Sequence, residues 1–515
     1  MVVATAEQWE ENEPVMALVE TLAKRQSRWN VAAIAHTAAR LALLAVALVL
    51  AARAIYYFAM VVPLIRWPFE LHGGESTMVL ESRLLNEHGL DGLRTLYGPQ
   101  TDDRFVAGNY PPVYFLLWAL KPGLPAYPTG RALSLLAGIA AAAAGVVAAY
   151  AVLPGDRRLR GGVALLGGAA FVCTVPAFQQ ISIAKPDMVA LAFAACGLAL
   201  FEALPNRRGT VGAGVCFALA LLTKQSIGFA LAAAGFAALR RGPRALVTLV
   251  LAVAGTLVVV LGALWLLAGP SLFEHLITYN TRSWRDDRFD SLNAKFLRLH
   301  WHLLAPAVAY ALWGVFKRPR SALSYYPLLA LGTLVAVGSD GGGRNYFIEL
   351  CLAMGLGAAL ALGTVLGARP AISVPLGLAG LLLGAAYTVQ AYTVFVPGQY
   401  VPEPPVVRGG FQNEVLAVVD ATPDPILSDD VGYLAMRHRP AVIDDNFLAT
   451  IVREKGLWRN DGIIAAIEAR AYPLVLTPRS PTEAELRRLW GDRMVDAILA
   501  NYQKTGPYTF VPKAP

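Results

Sequence analysis

The sequence predicts an α-helical polytopic membrane protein that ends in a small α/β domain. Of its 515 residues, 56% are hydrophobic and only 16% are charged, and the mean hydropathy is +0.49. Long apolar runs also recur along most of the chain, and soluble globular proteins rarely combine these features. The predicted domains are an N-terminal arm over 1–38, a transmembrane domain over 39–395 and a soluble α/β domain over 396–515.

The N-terminal arm is polar, and the first apolar run begins too late for a simple cleaved signal peptide. We therefore predict a cytoplasmic arm followed by an uncleaved anchor. All four cysteines lie within apolar runs, where a thiol behaves as a small hydrophobe, and their spacing matches no disulfide framework or zinc site. They are Cys173, Cys196, Cys216 and Cys351.

The transmembrane domain is predicted to contain about eleven spans, because about 20 apolar residues cross a hydrocarbon core of about 30 Å. Some spans are shorter than this and are expected at functional interruptions. The predicted spans are 39–65, 130–153, 161–178, 188–204, 210–223, 226–239, 244–268, 302–316, 321–337, 345–366 and 371–394.

Clusters of basic residues between the spans predict the topology, because short cytoplasmic loops are rich in lysine and arginine. Alternate loops together hold twelve basic residues and a single acidic one, Asp156. This pattern places the N-terminus in the cytoplasm, and it argues against a nucleic-acid partner for the net charge of +8. The basic residues are Arg157, Arg158, Arg160, Arg207, Arg208, Arg240, Arg241, Arg244, Lys317, Arg318, Arg320 and Arg369.

The first outer loop, 66–109, is followed by the apolar stretch 110–120, which is too short to span. A crossing there would move every later basic loop outside, so we predict a juxtamembrane or re-entrant helix on the outer face. An odd number of crossings then places the tail outside the cytoplasm. The expected location is the bacterial inner membrane, with the C-terminal domain extracytoplasmic.

The tail opens with a Pro-rich linker at 397–405 and alternates short apolar runs with helical stretches, which is typical of an α/β domain. The apolar runs are 425–427, 441–443 and 474–476. Four acids follow the predicted strands, where turn formation is the expected role. They are Asp429, Asp430, Asp444 and Asp445.

Two acids of the first outer loop, Glu70 and Glu75, flank a Gly-Gly turn. A solvated loop with a helix N-terminal carboxylate would explain them, because an acid stabilises the first turn of a helix. A general base would also explain them, since a hydroxyl that attacks a sugar must lose its proton to a nearby carboxylate or imidazole. Glu75 is the first choice for this base and Glu70 the second.

Lys185 and Lys224 lie at the outer ends of spans, close to Asp187 and Gln225. Each lysine alone could be an end-of-helix residue that reaches to water. Together they offer the compact positive charge and the hydrogen-bond donors that a lipid phosphate needs.

Between the ninth and tenth spans, Gly341, Gly342 and Gly343 precede Arg344. The glycines fit a flexible turn, or a turn whose amides bind an anion, and Arg344 could pair with a phosphate. Asn345 and Tyr346 could bind sugar hydroxyls. The loop 271–300 mixes charges with Trp284 and is expected to be an ordinary solvated loop.

In order, these segments resemble the GT-C superfamily of integral membrane glycosyltransferases, in the branch of protein mannosyltransferases and lipid A aminoarabinose transferases. The resemblance covers roughly 40–395. It rests on Phe69-Glu70-Leu71-His72-Gly73-Gly74-Glu75, Asn109-Tyr110-Pro111-Pro112-Val113-Tyr114, Lys185-Pro186-Asp187, Thr223-Lys224-Gln225 and Arg344-Asn345-Tyr346-Phe347.

The resemblance implies an enzyme of the cell envelope that transfers a sugar from a polyprenyl-phosphate donor and inverts the anomeric centre. It implies a catalytic acid in the first outer loop, Glu75 or Glu70, and a donor phosphate held by Lys185, Lys224 and Arg344. The sugar or acceptor contacts are expected from Asp187, Tyr110, Asn345, Tyr346 and Gln225. No cofactor is expected to be required, and no residue is predicted to bind a metal, although a divalent cation is compatible with the chemistry.

The expected partners are the lipid-linked donor, a lipid, glycan or protein acceptor, and membrane lipids. A transporter or flippase of lipid-linked glycans is the main alternative, because it too would place charges in a membrane cavity. No internal repeat supports it, and the polar positions gather at one face. A receptor or scaffold with an outer binding domain is a weaker alternative, since anchoring does not require so many spans.

Overall fold

The computed structural model describes residues 13–119, 126–366, 405–480 and 482–514, together with the isolated positions 380, 382, 384 and 385. Most of the predicted last span, 371–394, and of the linker, 397–405, lies outside the described residues.

Fifteen helices, α1–α15, make up most of the part that precedes residue 367, because apolar residues dominate these segments and helices satisfy their own backbone groups in lipid. They are α1 (Glu13–Arg66), α2 (Glu75–His88), α3 (Leu90–Tyr97), α4 (Val113–Ala119), α5 (Tyr127–Val152), α6 (Arg157–Val172), α7 (Val175–Ile181), α8 (Asp187–Ala203), α9 (Arg207–Leu221), α10 (Phe229–Arg241), α11 (Pro243–Ala268), α12 (Asp286–Lys317), α13 (Tyr326–Ala330), α14 (Gly332–Ala336) and α15 (Ile348–Leu366).

Among the described residues, five helices are long and apolar enough to cross a membrane. They are Leu44–Arg66, Tyr127–Val152, Pro243–Ala268, Asp286–Lys317 and Arg344–Leu366. Three further predicted spans form the shorter helices α8, α9 and α10, of 17, 15 and 13 residues. The count of eleven spans therefore stays a prediction.

The predicted span 161–178 is not one straight helix. It consists of α6 and α7, which are bent by 73° at a short break. The predicted span 321–337 is also interrupted, between α13 and α14. The bend between α6 and α7 lies near the cavities described below.

Small residues allow the helices of the bundle to pack closely. A Cβ atom on Gly167 of α6 would lie 2.8 Å from the Cβ of Ala359 and 3.0 Å from the carbonyl oxygen of Gly355, both on α15. A larger side chain at Gly167 would therefore push α6 and α15 apart.

The C-terminal segment forms a four-stranded sheet with six helices. The strand order is β1-β2-β4-β3, in which β1 and β2 are parallel and the other pairs are antiparallel. Two of the three predicted apolar runs form strands, β1 and β2, whereas Ile443 makes only an isolated bridge to Phe105. The elements are α16 (Pro405–Ala421), β1 (Ile426–Ser428), α17 (Gly432–Met436), α18 (Asn446–Glu454), α19 (Asp461–Glu468), β2 (Leu474–Leu476), α20 (Glu483–Trp490), α21 (Asp492–Asn501), β3 (Tyr502–Lys504) and β4 (Thr509–Pro512).

The first outer loop is joined to this C-terminal domain by hydrogen bonds. The amide of Phe105 donates to the carbonyl of Val442 at 2.9 Å, and the indole of Trp458 donates to the carbonyl of Thr101 at 2.7 Å. The loop thus lies between the helix bundle and the C-terminal domain, and it lines cavities on both sides.

Candidate active site

The main cavity, of about 900 Å³, is formed where the first outer loop meets several helix ends of the bundle. Its walls come from segments that are far apart in the sequence, because the loops before α8, α10, α12 and α15 converge at the same end of the bundle. Seven of the predicted site residues line it. They are Tyr110, Lys185, Lys224, Gln225, Arg344, Asn345 and Tyr346.

Lys224 is held in place by its neighbours. Its ammonium lies 2.5 Å from Asp187 Oδ1, and Asn345 donates to the same oxygen at 3.0 Å. The ammonium also lies 5.5 Å from the ring centre of Tyr110 and 5.8 Å from that of Tyr346. Burial lowers the pKa of Lys224, but Asp187 and these rings outweigh it and raise the pKa to about 12.

Asp187 itself is buried and does not line the cavity. Its contacts give it a supporting role, in which it positions Lys224 and Asn345. The expectation that Asp187 contacts the sugar or the acceptor directly is therefore not met by this geometry.

Lys185 and Arg344 have no carboxylate partner within the described part of the chain. Lys185 Nζ lies 3.0 Å from His72 Nδ1, and both side chains line the main cavity. Burial lowers the pKa of Lys185, although it faces the cavity. Lys185 in turn is the main cause that lowers the pKa of His72, and burial adds to it, so the neutral form of the imidazole is favoured.

Two further arginines of the cavity, Arg282 and Arg288, were missed by the sequence analysis, which expected an ordinary solvated loop there. Arg282 Nη1 donates to the carbonyl of Asp340 at 3.3 Å, and Arg288 Nη1 donates to that of Gly342 at 2.9 Å. The sequence carries no signal that distinguishes them from Arg285, which lies between them. Arg285 instead forms an exposed pair with Asp287.

The lining is strongly basic. Within the part of the chain that the structure describes, it holds five lysines and arginines, the imidazole of His72 and no carboxylate. A site with this much positive charge attracts an anion, and guanidinium and ammonium groups are the usual ligands of phosphate.

The three glycines before Arg344 line the cavity, but they do not present a group of free amides that could bind an anion. The amide of Gly341 donates to Asp340 Oδ1 at 3.0 Å, and that of Gly342 donates to the carbonyl of Ser339 at 2.7 Å. Gly341 has a φ of +75°, a left-handed conformation that favours glycine. The run therefore acts as a tight turn that brings Arg344 to the cavity.

The structure does not present Glu75, the first choice for the general base, as a free carboxylate. Its side chain is fully buried, and it forms a two-point ion pair with Arg131 at 2.9 and 2.8 Å. Its oxygens also accept from the amides of Leu71, His72 and Ala184. All acceptor positions are used, so Glu75 ties the first outer loop to α5 and to the segment before α8.

Glu70, the second choice, lies in a different environment. It lines a smaller cavity of about 210 Å³, which adjoins the main one because Leu71 and His72 line both. Glu70 accepts from the amide and hydroxyl of Ser76 and pairs with Arg479 of the C-terminal domain. Burial raises its pKa, and Asp430 and Glu75 add to this, although Arg479 opposes it.

An apolar groove of about 380 Å³ lies on another side of the main cavity, and the two share Leu292 and Arg344. Its remaining apolar residues are Val175, Pro176, Phe296, Leu299 and Phe347, and its remaining basic residues are Lys295, Arg298 and His300. Within the described residues, no group of three or more histidine, cysteine, aspartate or glutamate side chains could hold a metal ion.

Comparison with known proteins agrees with this architecture. Residues 109–339 match glycosyltransferase family 87. ArnT from Cupriavidus metallidurans superimposes with a TM-score of 0.58 in its apo state, at 15% identity, over 89% of this chain and 97% of that one. This chain has the fold of the GT-C membrane glycosyltransferases. The GT-C resemblance and the helical membrane fold predicted from the sequence are thereby confirmed.

Two further structures share the GT-C fold. ArnT from the same organism bound to undecaprenyl phosphate matches with a TM-score of 0.58 at 14% identity, over 91% of this chain and 97% of that one. The Archaeoglobus fulgidus oligosaccharyltransferase, in complex with zinc and sulfate, matches with a TM-score of 0.50 at 14% identity, over 90% of this chain and 73% of that one. The search of curated protein sequences gives no match. The protein is thus a multi-pass membrane protein with a glycosyltransferase family match.

Proposed function

We propose that the protein transfers a sugar from a polyprenyl-phosphate donor to an acceptor hydroxyl at the extracytoplasmic face of the membrane, with inversion of the anomeric centre. The observation that carries this proposal is the main cavity, whose lining has five basic residues and, among the described residues, no carboxylate. The family 87 match and the neighbour with bound undecaprenyl phosphate support the class of reaction and of donor.

The donor phosphate is proposed to lie between Lys185 and Arg344, which have no carboxylate partner among the described residues. Lys224 is fixed by Asp187 and reinforces the positive charge. The polyprenyl chain would leave along the apolar groove, because Arg344 lies where the groove meets the main cavity. A charged head group and an apolar tail thus meet surfaces that match them.

Glu70 replaces Glu75 as the proposed general base. It would take the proton of the acceptor hydroxyl, while the hydroxyl oxygen forms a bond to the anomeric carbon of the donor. The bond from that carbon to the phosphate oxygen breaks, and polyprenyl phosphate leaves with the electron pair. One displacement from the face opposite the phosphate inverts the anomeric centre.

The proposed orientation follows from the basic clusters, which lie at the opposite ends of the spans from the main cavity. Arg157 and Arg158 begin α6, and Arg207 and Arg208 begin α9, whereas Lys185 and Lys224 lie at the other ends of the neighbouring helices. By the positive-inside rule, the cavity and the C-terminal domain are extracytoplasmic. The N-terminus is then cytoplasmic, and the inner membrane is the proposed location.

The experiment that tests this function measures transfer of radiolabelled sugar from polyprenyl-phosphate donors by the purified protein in liposomes. Lys185→Ala and Arg344→Ala should each lower kcat/KM about 10- to 100-fold, because each removes a charged hydrogen-bond partner of the phosphate. Arg285→Ala is the matched control, since that arginine is exposed and does not line the cavity. Movement of lipid-linked glycan between leaflets without any transfer would contradict the proposal and favour a flippase.

A further inference from the structure

The smaller cavity lies between the first outer loop and the C-terminal domain, and each contributes about half of its wall. The loop supplies the continuous segment 69–73. The C-terminal domain supplies Gln412, Asp430, Gly432, Tyr433, Met436 and Arg479. This cavity is therefore complete only when the C-terminal domain is docked on the loop.

Its polar groups are held in fixed positions. Asp430 Oδ1 accepts from the amide of Gly432 at 2.9 Å, and Asp430 Oδ2 accepts from Arg479 Nε at 2.9 Å. Arg479 also pairs with Glu70. One arginine thus bridges carboxylates from the two halves of the cavity, and its charge is neutralised by them.

Two other polar groups of the wall are unused. The Tyr433 hydroxyl forms no hydrogen bond with the residues that the structure describes, and Gln412 Oε1 is buried without a partner among them. A buried polar atom without a partner is costly. A ligand that both donates and accepts hydrogen bonds would satisfy these two groups.

We propose that this smaller cavity binds the acceptor, and that the acceptor presents a sugar-like group with neighbouring hydroxyls. This inference rests on the proposed sugar transfer. Asp430 and Gln412 would accept from hydroxyls, and Tyr433 would donate to one. An anionic group fits poorly, because Arg479, the one arginine that the described residues contribute to the wall, already pairs with Glu70 and Asp430.

The size and the position of the cavity support this assignment. Its volume of about 210 Å³ lies below the range of about 300–1,000 Å³ that is usual for drug-sized ligands, which suits a single sugar ring. Leu71 and His72 separate it from the main cavity and line both. An acceptor hydroxyl would therefore meet Glu70 on one side and the donor on the other.

The C-terminal domain would then select the acceptor, while the helix bundle holds the donor. This division predicts that substitutions in the smaller cavity change acceptor binding and leave donor binding intact. If the wall of the smaller cavity served only to dock the domain, substitutions in it would not weaken acceptor binding while leaving donor binding intact.

The test uses the full-length protein in lipid nanodiscs and a panel of methyl glycosides of hexoses and pentoses as probes. Saturation-transfer NMR should detect binding of at least one probe to the wild type. Tyr433→Phe and Asp430→Asn should each weaken that binding about 10- to 100-fold. Tyr508→Phe and Asp420→Asn are matched controls in the same domain that do not line the cavity, and they should bind as the wild type does.

A second titration, with undecaprenyl phosphate, keeps this inference apart from the proposed function. Unchanged donor-lipid binding in Tyr433→Phe, with weakened glycoside binding, supports the acceptor site. If no probe binds the wild type, or if the variants bind the probes as the wild type does, the acceptor site is refuted. Absence of undecaprenyl phosphate binding to the wild type would instead count against the proposed function.

Discussion

Glu70 and Glu75 flank the same Gly-Gly turn, yet their carboxylates have different surroundings. Glu75 is fully buried and fully hydrogen-bonded, and its main partner is Arg131. Glu70 lines a cavity, and its carboxylate forms an ion pair with Arg479 of the C-terminal domain. A general base must reach the acceptor, which Glu75 cannot do while these bonds hold.

The two glutamates should therefore respond differently to the same substitution. Glu70→Gln should lower kcat by about 10²–10⁴, the usual loss when a general base is removed, with little change in thermal stability. Glu75→Gln should destabilise the fold by about 3–5 kcal/mol, because it leaves Arg131 buried without its counter-charge. Sugar transfer and the midpoint of thermal unfolding would be measured for both. Near-normal transfer by Glu70→Gln would exclude it as the base.

The pH dependence of transfer tests the same assignment. Glu70 acts in its ionised form, and burial raises its pKa, so activity should fall as pH drops through this raised pKa. Arg479 lowers the pKa of Glu70 and Asp430 raises it. Arg479→Gln should therefore shift the acidic limb of kcat to higher pH, and Asp430→Asn should shift it to lower pH. If the acidic limb of kcat lies at the same pH in the wild type and in both variants, a group other than Glu70 titrates.

The cations of the site could be predicted from the sequence, but their environments could not. Lys185, Lys224 and Arg344 stand out because charges at the ends of apolar helices are costly and usually functional. Arg282 lies in a loop of mixed charge, and nothing in the sequence distinguishes it from the exposed Arg285. Which arginine faces the cavity depends on the packing of that loop against the turn before Arg344.

At the scale of elements, apolar runs predicted where helices lie better than where they bend. The run 161–178 has no charged residue after its basic start, so hydropathy alone indicates one span. The break has a local signal, since Thr174 precedes α7 and Pro176 occupies its first turn, which is a typical start of a new helix. The bend brings Gln179 and Gln180 to the main cavity.

Three other elements show why local sequence patterns predict incomplete boundaries. Helix α12 begins at Asp286, well before the predicted start at 302, because its first half is amphipathic and carries no long apolar run. Strands β3 and β4 are both short, and β3 is largely exposed while β4 is largely half-buried, so no apolar run marked them. The pairing of β4 with β2 depends on contacts far away in the sequence, which local patterns do not report.

At the scale of the whole molecule, two buried carboxylates lie where the first outer loop meets the C-terminal domain. Glu81 Oε1 accepts from the amide of Gly108 at 2.6 Å, and Asp444 Oδ1 accepts from that of Ala107 at 2.8 Å. The sequence predicts a turn at Asp444. Its position instead joins the loop to the domain, because the hydroxyl of Thr77 donates to its carbonyl at 2.9 Å.

These carboxylates should make the docking of the C-terminal domain depend on pH. Burial raises the pKa of Asp444 to about 8, with Asp445 adding to this and Arg104 opposing it. Burial and Asp444 also raise the pKa of Glu81 well above its usual range. Docking therefore favours the protonated form of both acids, and the stabilisation that this gives is complete below the ordinary carboxyl pKa of about 4. For Asp444 it is lost as pH rises through about 8.

Hydrogen exchange at the amide of Asp444, which donates to the carbonyl of Phe105 at 3.2 Å, measures this docking directly. After correction for the intrinsic exchange rate, its protection factor should fall as pH rises from about 5 to about 9, because the docked state holds protons that undocking releases. Glu81→Gln should weaken this dependence by removing one titrating group and a like charge beside Asp444. Glu87→Gln, an exposed position on the same helix, should behave as the wild type does. Protection that is constant over this pH range would mean that the two carboxylates do not control docking, and that the loop and the domain stay joined whatever their charge.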